Sequence, residues 1–229
     1  PLFWKVMRNT LLYVGMSIGF GFFAPIVLAL MLTEIRRFTV LFRTIYYLPS
    51  IVPAVASAVL WAWIFNTEFG LLNAILHYFG IDRVPWLQDP DFALWALIMM
   101  SLWGLGGSMI IYLAGLQGIP DVYYEAAKVD GANRWRRFRH VTMPLLRPTW
   151  TFVLIISIIS SFQVFDQVWV MTPRGGPLHS TETVVTYIYY QGIELLDISY
   201  AASIGVVLFV VVFVLTLIQL RAFRFRELD

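Results

Sequence analysis

Long apolar stretches alternate with short polar ones along this chain. Apolar residues run almost without interruption through 11–32, 46–65, 92–116, 150–170 and 201–220. Each run comes close to the roughly 20 residues that a helix needs to cross a bilayer core. The pattern predicts an all-α membrane protein, a polytopic helical bundle of five transmembrane helices forming one domain over 1–229. Prolines and glycines punctuate the spans. Pro25 interrupts the first, Pro49 and Pro53 predict a bent or broken start to the second, and Gly104, Gly106, Gly107 and Gly115 crowd the third. Gly15 and Gly19 would let a neighbouring helix approach the first span closely. Between the second and third spans, Leu71, Leu72, Ile75, Leu76 and Phe79 recur at helical spacing before Gly80. That spacing predicts a short amphipathic helix lying on the membrane surface.

One polar, basic insert stands out, over 117–148 between the third and fourth spans. Pro120 and Asp121 are helix-start residues, the aspartate being able to cap free N–H groups. Glu125, Ala126 and Ala127 then offer a helix surface of little bulk. Asp130-Gly131 signals a turn. A second, strongly basic helix is expected from Ala132 to His140, ended by Pro144. Two short helices joined at a glycine make a compact knob. Composition alone is equally consistent with a solvated loop whose arginines only fix topology.

Charge orients the bundle. Twelve of the 16 Lys and Arg residues lie in the loops after spans one and three and in the tail: Arg36, Arg37, Arg43, Lys128, Arg134, Arg136, Arg137, Arg139, Arg147, Arg221, Arg224 and Arg226. The opposite side holds only Lys5, Arg8, Arg83 and Arg174. Positive charge concentrates in cytoplasmic loops, so the insert and the C-terminus are expected inside, and the basic residues act as orientation signals and not as a nucleic-acid surface. Five spans with the C-terminus inside place residue 1 outside, which predicts a preceding helix in a longer protein. With 59% hydrophobic and 13% charged residues and a mean hydropathy of +0.75, a soluble domain is excluded. The absence of cysteine removes disulfides, thiolate metal sites and thiol nucleophiles together.

Chemistry inside the spans is sparse. Asp166 is the ionisable residue within an apolar run, where an acid costs several kcal/mol, about 2.5–3.5 on insertion scales, unless it meets water or a partner. Gln163 and Gln167 flank it, and Phe162, Phe165 and Trp169 follow at three- and four-residue steps, which would align a polar and aromatic stripe on one helix face. Two roles are open for Asp166: part of a solute path, or a cap or ion-pair partner near the outer end of its helix. His77, His140 and His179 are scattered polar positions. No Ser-His-Asp set, metal-ligand spacing or carboxylate dyad is present, so neither a metal site nor catalysis is expected.

The order Glu125-Ala126-Ala127, Gly131, Val141, Met143, Pro144 resembles the EAA signature of ABC importer permeases, with Val for Ile and Met for Leu in its final I-x-L-P. The stretch SFQVFDQVWVMTPRGGPLHSTET is similar to F-D-x-x-[WY]-V-M-T-x-G-G-P of carbohydrate importer permeases of the maltose and glycerol-3-phosphate type, with Pro173-Arg174 before the glycines. The resemblance covers nearly the whole chain. It implies the type I importer permease (MetI-like) fold in a bacterial or archaeal plasma membrane. It also implies a non-enzymatic subunit for a sugar or polyol, working by alternating access. Two ATPase subunits, which would hold the ATP and Mg, an extracytoplasmic solute-binding protein and a second permease, with a heterodimer favoured, are the implied partners. Glu125, Ala126, Ala127, Asp130, Gly131 and Pro144 would couple to the ATPase, and Gln163, Phe165, Asp166 and Trp169 would belong to the substrate path. An autonomous ion-coupled transporter or channel is the alternative from another class. It predicts several membrane acids or an internal inverted repeat, whereas one acid and no clear repeat are visible. A membrane enzyme or signalling subunit would need the catalytic cluster that is missing.

Overall fold

The computed structural model describes residues 2–35 and 37–224. Pro1, Arg36 and Arg226 lie outside the described residues, as does the side chain of Arg224. Among the described residues the chain is helical with no strand. Helix α1 (Leu2–Glu34) is followed by α2 (Thr39–Ile51), α3 (Ala54–Ile64), the short α4 (Leu71–Tyr78), α5 (Pro90–Trp103) and α6 (Gly106–Gln117). The polar insert forms α7 (Asp121–Val129), a turn α8 (Arg134–Arg137), a π-turn over Phe138–Thr142 and a turn α9 (Met143–Leu145). Then come α10 (Arg147–Phe162), α11 (Asp166–Met171), α12 (Val184–Tyr189) and α13 (Ile198–Arg224).

Three stretches, Leu2–Glu34, Arg147–Met171 and Ile198–Phe223, are long and apolar enough to cross a membrane, and two bent pairs, α2–α3 and α5–α6, bring the number to five if each pair is one span. The bends have local causes. Pro53 disfavours helical angles at the residue before it, and Val52 sits at φ −67°, ψ 132°, turning α3 by 96° from α2. Gly104 ends α5 with its N–H on Ser101 O at 3.3 Å, and α6 leaves at 44°. Pro25 behaves differently from expectation. Helix α1 runs through it unbroken, with the ring buried among neighbours; a proline removes one backbone bond, and packing holds the helix on both sides of it.

Helix α1 is the central post, packed by α5, α6, α10 and α12. Along its length it serves three separate cores, the third holding Val6 with Val184, Tyr187 and Ile204. Ile26, Ala29 and Leu32 pack with Met109, Tyr112, Leu113, Leu146 and Val153 at the end that carries the polar insert. Tyr13 packs with Ala58, Phe65, Leu97, Met100, Val168 and Met171 toward the other end.

Glycine allows one especially close crossing. A Cβ on Gly106 would lie 2.1 Å from the Tyr46 carbonyl oxygen, so α2 and α6 touch backbone to backbone. Gly15 and Gly19, expected to receive a close neighbour, meet nothing within 4 Å in this chain. Gly106→Ala should therefore destabilise the purified protein by about 1–3 kcal/mol, the usual cost of forcing bulk into packed structure. Gly19→Ala should stay within about 0.5 kcal/mol of the parent. Denaturation in detergent measures both, and equal effects would contradict the α2–α6 contact.

Candidate functional site

The polar insert folds as a knob whose turn is fully specified by backbone bonds. Helix α7 ends in a Schellman arrangement: Gly131 at φ +72° donates to Lys128 O at 3.1 Å, and Ala132 donates to Ala127 O at 2.9 Å. Only glycine adopts such angles without strain. Asn133 then caps α8, its Oδ1 accepting from Arg136 N at 2.8 Å. The expected aspartate cap on α7 is not formed. Pro120 occupies the cap position without a side-chain bond, and Asp121 is the first helical residue.

Pro144 does not end the second helix either. The chain widens by one residue into the π-turn, with Met143 N–H reaching back five residues to Phe138 O. Pro144 then falls within the first two positions of a new helical turn, where its missing N–H costs little, and Leu146 N donates to Thr142 O at 2.9 Å. The helical path thus continues from the knob into α10.

Glu125, Ala126, Asp130 and Gly131 are exposed on the knob, and Ala127 is half-buried. Val122 and Val129, each about one turn from Ala126 on the same side, are exposed at 62% and 89%. Tyr124, facing the other way, bonds through its hydroxyl to the buried Thr142 Oγ1 at 3.1 Å and ties α7 to the π-turn.

A second feature lies beside the core that holds Tyr13 and Met100. A cavity of about 460 Å³ is lined by Tyr13, Ser17, Pro49, Val52, Gly104, Val164, Gln167 and their neighbours. All three breaks converge on it: 52–53 between α2 and α3, 104–105 between α5 and α6, and 163–165 between α10 and α11. Its walls carry eight serines (Ser17, Ser50, Ser57, Ser101, Ser108, Ser157, Ser160 and Ser161) and no charged side chain. Gln167 donates from Nε2 to the Tyr13 hydroxyl. Ser17 Oγ is shielded from solvent beside the Tyr13 hydroxyl. Such a chamber offers many hydroxyl donors and acceptors to a neutral, polyhydroxylated molecule.

The stripe expected around Asp166 is not one helical face. Phe162 ends α10 and is buried, Gln163 caps it, and Phe165 at φ −135°, ψ −65° precedes α11. The break sends Gln167 and Val164 into the cavity and leaves Gln163 and Asp166 exposed. Phe165 and Trp169 do come together, stacked at 5.7 Å, and Tyr189 completes the cluster at 5.2 and 4.7 Å from them. Gln167 and the serines were present in the sequence as hydroxyls and an amide repeating inside apolar runs, a signal weaker than a lone carboxylate.

The loop after α11 closes over the outer core. Asn9 donates to His179 O at 2.8 Å and Glu182 O at 3.2 Å, and Lys5 reaches Leu178 O at 2.5 Å. Gly175 and Gly176, at φ +80° and +68°, let it turn against Glu182 and Thr181. Burial pushes the Glu182 carboxyl above its ordinary range, and the bond from His179 at 2.7 Å, with the charges of His179 and Lys5, pulls it back in part.

Residues 17–226 match the family described as "Binding-protein-dependent transport system inner membrane component". The chain is 39% identical to the "Probable ABC transporter permease protein YesP" of Bacillus subtilis (strain 168), over 94% of this chain and 71% of that one. It is 36% identical to the "Lactose transport system permease protein LacF" of Rhizobium radiobacter, over 99% and 78%. A crystal structure of a bacterial alginate ABC transporter, in complex with alginate pentasaccharide-bound periplasmic protein, contains a chain similar at TM-score 0.88 and 31% identity, over 95% of this chain and 76% of that one. An all-helical bundle with broken spans, a knob and these relatives define a type I importer permease. The chain belongs to the family of binding-protein-dependent transport system inner membrane components, as a permease subunit of an ABC importer.

Tyr124→Phe removes the one side-chain bond joining α7 to the π-turn. Amide exchange in α7 should speed up by the loss of about 0.5–1.5 kcal/mol, with α10 unchanged. Exchange in α7 matching the parent would show that the hydroxyl bond does not hold the knob.

Proposed function

We propose that this permease imports a neutral saccharide or related polyol and that the serine-lined cavity is part of its path. The observation that carries the reading is the convergence of three helix breaks on one uncharged, hydroxyl-rich chamber. Irregular backbone at membrane depth is tolerated where it lines a cavity, and discontinuous helices build solute sites in other transporters. The volume, about 460 Å³, falls in the range of small-molecule sites. The lactose and alginate relatives support a saccharide as cargo. Ser17 Oγ and the Gln167 amide are the groups this chain would present first. Gln163, Phe165, Asp166 and Trp169 form a second surface, facing away from the chamber, where a second and distinct permease subunit would complete the path.

The knob is the coupling element in this reading. Glu125, Ala126, Ala127, Asp130 and Gly131 would seat in an ATPase subunit that holds ATP and Mg, and Pro144 would sit where the knob joins α10. A solute-binding protein would deliver cargo from the outside, and the arginine-rich face with the C-terminus would be cytoplasmic. ATPase closure would push α7, the Tyr124–Thr142 bond would carry the push into the π-turn, and α10 would tilt against α1. That is a rigid-body change between two packed arrangements.

Two measurements on the reconstituted importer separate path from coupling. Gln167→Ala should weaken cargo stimulation of uptake by about three- to tenfold, the worth of one neutral hydrogen bond, with basal ATP hydrolysis retained. Unchanged uptake together with unchanged uptake in Ser157→Phe, which fills the chamber, would remove the cavity from the path. Gly131→Arg should leave the subunit inserted yet abolish uptake, because its open turn faces outward and its φ penalises a side chain by about 1–2 kcal/mol. Parental uptake in that variant would contradict coupling through the knob.

A further inference from the structure

A second, larger cavity of about 980 Å³ opens beneath the bundle, between the last turns of α1, the end of α6 and the knob. Its upper wall is apolar, with Val27 and Leu30, and Trp135 stands exposed at its rim. Two guanidinium groups, Arg134 and Arg137, and two carboxylates, Glu34 and Asp121, line the remainder. Arg134 and Glu34 pair at 3.8 Å with both side chains largely exposed, a contact worth little in water. Arg137 Nε is shielded from solvent and has no hydrogen-bond partner among the described residues. A shielded guanidinium nitrogen left unpaired is costly, and phosphate is the ligand that its planar fork fits.

We propose that this groove holds the head group of a phosphatidylethanolamine molecule from the adjacent leaflet. The phosphate takes Arg137 and Arg134, and the ammonium takes Asp121 and Glu34. The acyl chains leave along Val27 and Leu30, where the span ends, and Trp135 lies at the level that aromatic anchors favour. Paired charges of both signs set this lipid apart. A phosphatidylglycerol head has no cation for the carboxylates, and a phosphocholine head has no N–H to donate. Because the groove joins α1 to the knob, the lipid ties the coupling element to the leaflet, independently of which cargo is carried.

The test is native mass spectrometry of the assembled transporter in detergent with equimolar phosphatidylethanolamine, phosphatidylglycerol and phosphatidylcholine. Phosphatidylethanolamine should be retained preferentially. Arg137→Gln should lower that retention by about tenfold, the effect of losing one charge-assisted hydrogen bond. Asp121→Asn, in assembled complex, should reduce the preference over phosphatidylcholine while keeping phosphate-dependent binding. Equal retention of all three lipids, or retention unaffected by Arg137→Gln, overturns the proposal. So does displacement by inorganic phosphate or soluble glycerophosphoethanolamine at concentrations similar to the lipid, which would make the groove a site for a free phosphate compound.

Discussion

A bilayer core provides no water to a backbone polar group, and the architecture follows from that restriction. Each span must close its own hydrogen bonds, so a helix can stop at membrane depth only where something else takes up its free ends. Here the stops are not scattered. The ends of α2, α5 and α10 all open onto the same serine-lined chamber, beside the core that holds Tyr13 and Met100. The chamber is therefore what permits the breaks, and the breaks give the chamber its shape.

The knob obeys the opposite condition. It has water on most sides and little core of its own, so its shape comes from backbone capping: the Schellman bonds at Gly131 and the Asn133 cap. This leaves its outer surface free to carry Val122, Glu125, Ala126 and Val129 without a folding role. Rigid local geometry therefore comes together with a surface that the fold itself does not use. Inward, Tyr124 and the half-buried Phe138 connect it to the rest.

Much of this was legible from the chain. Apolar run lengths marked the stretches that fold as the long and the bent helices, Gly131 located the turn, and Gly80 follows the end of α4 at φ +76°. The spacing of Glu125 to Pro144 carried the family. What periodicity could not convey was continuity through special residues. Pro25 and Pro144 read as stops, yet packing around the first and a widened turn before the second keep both segments helical. The reverse happened at 163–165, where three ordinary residues, Gln163, Val164 and Phe165, hid a break. That misplacement exchanged Gln167 for Asp166 as the inward group. A single carboxylate is conspicuous in an apolar run, whereas eight hydroxyls spread over six helices come together only in three dimensions.

The extra residue in the turn at Phe138–Thr142 has a rotational meaning. Adding one residue to a helical path advances every later side chain by about 100° around the axis. Ser157, Ser160 and Ser161 look inward because the thread downstream of the knob is wound by that amount. A regular turn in its place would turn a different face of α10 to the chamber, so the spacing between elbow and chamber is a screw setting that tolerates residue swaps far better than a single insertion or deletion.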